Sequence, residues 1–213
     1  MKSLKINIDL FIMAITIFCI ILYFFRVVIA QNFNYHFLIW NLTLALIPYK
    51  ASQYIKSKDT VFFTLSFIVW LAFFPNAPYL VTDVIHAGLL MDTVPIFYNY
   101  FMLVSYALLG LLLCFRSMEL TFNTLKHKFI FVTAIKFYFF TYLFSAIAIF
   151  IGRFMRWNSW DLLFNLSFIY KDFINIFADS YLLLFLLLSI SSSMLFFYFC
   201  QLLYTKITSR YLN

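Results

Sequence analysis

The sequence predicts an all-α fold: a polytopic transmembrane helix bundle of six spanning helices, with a short interfacial or re-entrant helix after the third. Three observations carry this. Of 213 residues, 65% are hydrophobic and only 11% charged, whereas a soluble domain carries about 25% charged residues. The apolar residues fall in runs near the ~20 residues that a spanning helix needs. The basic residues gather in short clusters between those runs, as membrane topology requires. With 31 Phe and 15 Tyr, the side chains must meet lipid or neighbouring helices, and the length suits a single transmembrane domain over 1–213.

The first span is expected at 8–30. Lys2 and Lys5 ahead of it resemble a signal peptide, but the run is long enough to cross and Val28-Ile29-Ala30-Gln31 is a poor cleavage site, so it reads as an uncleaved helix. The others are expected at 34–50, 60–75, 96–116, 129–151 and 180–204, with the second and third ending at Pro48 and Pro75. Three glycines in the whole chain exclude GxxxG contacts as the organising device. Cys19, Cys114 and Cys200 lie inside apolar runs without metal-ligand spacing and read as small buried side chains. Arg26, close to Ala30, is expected to snorkel outward. Lys136, eight residues past Lys128, lies ~12 Å into the bilayer if the fifth helix starts at 129. Asn41, Thr43 and the Ser189, Ser191, Ser192, Ser193 group read as makers of interhelical or backbone hydrogen bonds.

Charge sets the orientation. With the N-terminus inside, Lys2, Lys5, Lys50, Lys56, Lys58, Arg116, Lys126, Lys128, Lys136, Lys206 and Arg210 are cytoplasmic, against Arg26, Arg153, Arg156 and Lys171 outside. Both termini are therefore expected in the cytoplasm. The net charge of +7 is topological, and no nucleic-acid partner is expected.

The outer connections, 76–95 and 152–179, hold two polar motifs. In Phe74-Pro75-Asn76-Ala77-Pro78-Tyr79-Leu80-Val81-Thr82-Asp83-Val84-Ile85-His86, the prolines are expected to stop the third helix and Asn76 to cap a new one. Tyr79, Thr82, Asp83 and His86 would then share one face. An acidic group facing lipid at the bilayer centre costs about 2.5–3.5 kcal/mol, so the stripe should face the bundle interior. Asp83 and His86 are candidate acid/base residues, with Asn76, Tyr79 and Thr82 as binding groups. The structural reading is a capped helix whose polar groups bond their neighbours. Asp-x-x-His lacks the further ligands zinc wants, so no metal is expected.

The second motif is Gly152-Arg153-Phe154-Met155-Arg156-Trp157-Asn158-Ser159-Trp160-Asp161. Arg153 and Arg156, three residues apart, can clamp a phosphate or carboxylate or pair with Asp83 and Asp161. Trp157 and Trp160 suit headgroup depth. The binding candidates here are Arg153, Arg156, Trp157, Asn158 and Asp161.

These two strings, with Asn41-Leu42-Thr43-Leu44-Ala45-Leu46-Ile47-Pro48-Tyr49, resemble the signatures of the domain-of-unknown-function 1361 family of bacterial integral membrane proteins. The resemblance covers nearly the whole chain and implies a small multi-helix membrane protein with no established activity. It also implies an aromatic-aromatic-Asp start to the fourth spanning helix and a proline shortly after Asn165. This chain has Phe97-Tyr98-Asn99 and Leu166-Ser167 instead.

Three functions fit. The leading one is a non-enzymatic membrane component or scaffold with a polar anion or lipid-headgroup site on its extracytoplasmic face. A small transporter or channel subunit, with Asp83, His86 and Lys136 along a path, comes second. A membrane-embedded enzyme acting on a lipid-linked or phosphorylated substrate comes last, since no nucleophile or metal set accompanies Asp83 and His86. The expected partners are the bilayer, an anionic lipid or lipid-linked phosphate, and other membrane proteins; no cofactor is expected. The topology is tested by cysteine labelling. A cysteine at Ser57 should react only after cells are permeabilised and one at Thr93 from outside; the reverse pattern overturns the orientation.

Overall fold

The computed structural model describes residues 7–88, 94–156 and 166–211, which form helices with no strand among them. Of the residues named above, Lys2, Lys5, Thr93, Trp157, Asn158, Ser159, Trp160, Asp161 and Asn165 lie outside the described residues. The helices are α1 (Ile8–Ala30), α2 (Phe37–Tyr54), α3 (Thr60–Phe73), α4 (Asn76–Thr82), a 3-10 turn (Asp83–Gly88), α5 (Ile96–Lys128), α6 (Ala134–Phe150), a π-turn (Ile151–Met155), α7 (Leu166–Ala178) and α8 (Ser180–Tyr211). Five stretches are long and apolar enough to cross a membrane: Ile8–Ala30, Thr60–Ala87, Ile96–Lys128, Ala134–Met155 and Ser180–Thr208. The sixth expected span is α2, an 18-residue helix whose apolarity Asn41, Lys50, Ser52 and Gln53 reduce.

Several boundaries depart from expectation for identifiable reasons. Pro48 does not end α2, which runs on to Tyr54. Pro75 and Pro78 do not stop the third span either. Phe74 and Pro75 both keep right-handed helical backbone angles. The hydrogen bonds step around the missing donors: Ala77 N–H donates to Phe74 O, and Tyr79 N–H to Pro75 O. Asn76 therefore does not cap a new helix; it lies in the first turn of α4, and its Nδ2 donates to the Phe73 carbonyl (3.0 Å). α5 continues past 116 to Lys128 because Ser117–Lys128 contains no Pro or Gly. It stops where Phe129 turns extended. That break moves the start of the next helix to Ala134, so Lys136 sits exposed in the first turn of α6 and not deep within a span.

Two compact units result, one of Met1–Thr133 with Gln201–Asn213, the other of Ala134–Cys200. In the first, α5 is the central element and packs on α1, α2 and α4, with Met102, Leu103, Tyr106, Leu109, Leu113 and Met118 buried along its length. In the second, Tyr142 stacks on Phe197, and Phe150 and Phe154 both meet Phe185, so α6 and the N-terminal part of α8 run antiparallel. The serines of α8 bond their own helix: Ser189, Ser191 and Ser193 donate to Leu186 O, Leu187 O and Ser189 O.

α4 lies hard against α5 at Gly110. A Cβ there would stand 2.6 Å from the Ala77 carbonyl oxygen and 2.7 Å from Leu80 Cβ. Gly110→Ala gains up to about 1 kcal/mol of helix propensity but overpacks an interface where one obstacle is backbone, at a cost of about 1–3 kcal/mol. The variant should melt below the wild type in detergent; an equal or higher melting temperature would show that α4 yields at no cost.

Candidate functional site

The first unit encloses a polar cluster at the end where α1 closes. α1 stops at Gln31, in the left-handed region (φ 53), and Tyr35 is left-handed too (φ 67). A bulky aromatic seldom holds such a backbone without surroundings that fix it. Here they do. Tyr35 is buried, its hydroxyl donates to the His86 carbonyl (3.1 Å), and the Arg26 guanidinium lies 4.5 Å from its ring centroid.

Arg26 is the centre of the cluster. It is fully buried (0% exposed), which corrects the expectation that it snorkels to the surface. The short α1–α2 connection folds back over it and supplies oxygen atoms that make outward extension unnecessary. Nη1 donates to Asn32 Oδ1 (3.1 Å) and to the Asn34 carbonyl (3.2 Å), and Nε donates to Asn99 Oδ1 on α5 (3.0 Å). Asn99, itself buried, is the position where the family resemblance implied an Asp.

The first motif enters the cluster from α4 and the 3-10 turn. Asp83 is 1% exposed, and its Oδ2 accepts from Asn41 Nδ2 of α2 (2.8 Å). The His86 ring lies edge-on to Phe37 at 5.0 Å. Thr82 Oγ1 donates to the Tyr79 carbonyl (2.7 Å). Buried Asp83 and half-buried His86 thus belong to one neighbourhood, while Asn76 and Thr82 bond the local backbone. Arg153 and Arg156 belong to the other unit. There Arg153 lies in the π-turn, and Arg156 closes that turn in the left-handed region (φ 58), its N–H bonded to the Ile151 carbonyl. Arg156 is exposed, with no ion pair among the described residues.

A second polar cluster lies farther along the first unit. Arg116 grips Asp9 with two donors, Nε to Oδ1 (3.0 Å) and Nη2 to Oδ2 (3.1 Å), while Nη1 donates to Glu119 (3.1 Å). Tyr49 and Tyr204 hydroxyls donate to Asp9 and Glu119 at 3.0 and 2.9 Å. The two clusters are in register. Asp9 and Arg26 on α1 are separated by as many residues as Asn99 and Arg116 on α5, ~25 Å along a helix. Between them Tyr106 OH donates to the Cys19 carbonyl (3.0 Å) and Tyr98 OH to the Leu22 carbonyl (2.8 Å).

Sequence reasoning missed Arg26, Tyr35 and Asn99 in the first cluster and the whole of the second. The usable signal was this equal spacing of polar residues on two apolar helices. Among the described residues no group of three or more His, Cys, Asp or Glu could hold a metal.

Removing Arg26 strands the oxygens it satisfies, each at a cost of about 1–3 kcal/mol. Arg26→Leu should lower the melting temperature in detergent, as should Asn99→Leu, and the double variant should lose less than the two losses combined. Strict additivity would mean that the Arg26–Asn99 bond contributes nothing.

No curated protein and no solved structure matches the chain. The chain does match, over residues 40–200, the family described as "Protein of unknown function (DUF1361)", and it belongs to that family.

Proposed function

We propose that this chain is a non-enzymatic component of the bacterial cell membrane, a scaffold that crosses six times with both termini cytoplasmic. On its extracytoplasmic face, Arg153 and Arg156 take the headgroup of an anionic lipid or a lipid-linked phosphate. One observation carries the non-enzymatic reading: Asp83, the carboxylate best placed for chemistry by sequence, is almost fully enclosed and already accepts from Asn41. A general acid or base must reach the proton it moves, and a group so enclosed fastens segments together. The transporter reading loses its mid-membrane cation, because Lys136 lies at the start of α6.

The anion reading is supported by the two arginines of the π-turn at Ile151–Met155, Arg153 within it and the left-handed Arg156 that closes it. A π-turn closed by a left-handed residue is an ordinary helix end. This one carries two guanidiniums, whose planar forks suit phosphate oxygens. Trp157, Asn158 and Asp161 complete the proposed set from the segment that follows.

The purified protein should retain an anionic lipid or lipid-linked phosphate that raises its melting temperature in detergent. Arg153→Ala combined with Arg156→Ala should lose both the lipid and the stabilisation. Identical lipids on the double variant by lipidomics would sink the anion site.

A further inference from the structure

We propose a second lipid site, on the end of the first unit formed by the α2–α3 loop and the turn after α5: a surface that selects anionic phospholipid headgroups through Lys56, Lys58, Lys126 and Lys128. Its position at the bilayer surface follows from the chain itself. α3 opens a candidate span at Thr60, and α5 closes one at Lys128 just before another opens at Ala134. The connections 55–59 and 129–133 must therefore turn at headgroup level, since irregular backbone is not tolerated facing lipid tails.

The two connections are neighbours. Lys128 Nζ donates to the Ser57 carbonyl (3.3 Å) and stands 3.7 Å from the Phe63 ring centroid, joining the end of α5 to the α2–α3 loop. Lys56, Lys58, Lys126 and Lys128 are all exposed, and none is ion-paired among the described residues. The carboxylate beside them is committed: Asp59 Oδ1 accepts from the N–H groups of Val61 (2.8 Å) and Phe62 (3.1 Å) at the start of α3. Lys128 ties the two connections together, and Lys56, Lys58 and Lys126 are left exposed beside it.

The second half of the surface is apolar. Directly after Lys126-His127-Lys128 the chain leaves the helix and presents Phe129, Ile130 and Phe131, 37%, 101% and 70% exposed. A helix terminus needing only dipole compensation has no use for three large apolar side chains on the following turn. Cations at phosphate height beside apolar side chains that dip between acyl chains are the paired signals by which peripheral segments hold a membrane surface. A basic cluster next to a span attracts anionic lipid by ~5-fold per lysine. The surface is separate from the Arg153–Arg156 site and independent of the orientation proposed above.

The test uses the full chain carrying Arg153→Ala and Arg156→Ala, so that the other proposed site is silent, in nanodiscs of phosphatidylcholine with a minority of phosphatidylglycerol. Native mass spectrometry after release should show phosphatidylglycerol retained well above its bulk share. Lys56→Gln, Lys58→Gln, Lys126→Gln and Lys128→Gln together should bring the retained share of phosphatidylglycerol down to its bulk share. The four arginine replacements should preserve it. Raising salt should erode the enrichment without any lysine substitution, because exposed charges are screened within a Debye length of about 10 Å at 0.1 M; this arm stands even where the glutamine variant fails to assemble. Equal retention of the two lipids, or enrichment indifferent to salt, would overturn the site.

Discussion

A guanidinium withdrawn from water and kept from lipid must find every hydrogen-bond acceptor within the protein. Arg26 imposes that demand on the first unit. Its charge cannot be shed, since arginine stays protonated, and its donors fan out in one plane. The chain answers with oxygens from two directions, the α1–α2 connection through Asn32 and Asn34 and α5 through Asn99, and with the ring face of Tyr35 from a third. The left-handed backbone of Gln31 and Tyr35 follows from this geometry, because the connection must turn sharply to bring its oxygens back over α1. Tyr35 then passes the constraint on to the 3-10 turn through the His86 carbonyl.

The same principle sets how α1 and α5 lie. Few forces other than packing and polar contacts align helices in a bilayer, because lipid is as apolar as their side chains. α1 and α5 are paired antiparallel by contacts at matching heights: Arg26 with Asn99, Tyr106 with Cys19, and Arg116 with Asp9. A slip of one residue would break all of them at once. The bond to each end also fixes rotation, turning the lipid-compatible faces of α1, such as Leu10, Met13, Ile17, Ile21 and Phe25, outward. Gly110, one turn along α5 from Tyr106, then lets α4 approach α5 closely, and at the end of α4 Asp83 meets Asn41.

The class of fold was legible because it rests on composition and on apolar run length, properties that any lipid environment demands. α1 was legible to its ends, since Asn7 caps one terminus and the polar Gln31-Asn32 follows the other. The burial of Asp83 in the first motif was legible for the same energetic reason, whereas Tyr79, Thr82 and His86 are half-buried. Helix ends near Pro48, Pro75 and Arg116 were not. A proline inside a membrane helix forfeits one bond while its neighbours keep theirs, so it bends a helix that in water it would end. The burial of Arg26 was not legible either, because depth along α1 alone favours snorkelling. Nothing in the local sequence reveals that Asn99, far along the chain, will arrive beside it. Pairings of that range are decided by helix register, which one sequence shows only as equal spacing on two helices.

The molecule treats its charges in two ways, and the difference separates architecture from recognition. Arg26, Asp83, Arg116, Asp9 and Glu119 are all bonded to other parts of the chain. The buried ones, Arg26 and Asp83, resist change most, since removing either strands its partners in a poor dielectric. Lys56, Lys58, Lys126 and Arg156 are exposed and carry no ion pair, so the fold loses little if they are neutralised. Exposed charge without an ion pair, on backbone that turns at or near a bilayer surface, is available to something outside the chain. In a membrane rich in phosphate headgroups, the nearest abundant counter-charge is the lipid itself. The proposed reading accordingly assigns recognition to the turns and the fastening of helices to the polar interior.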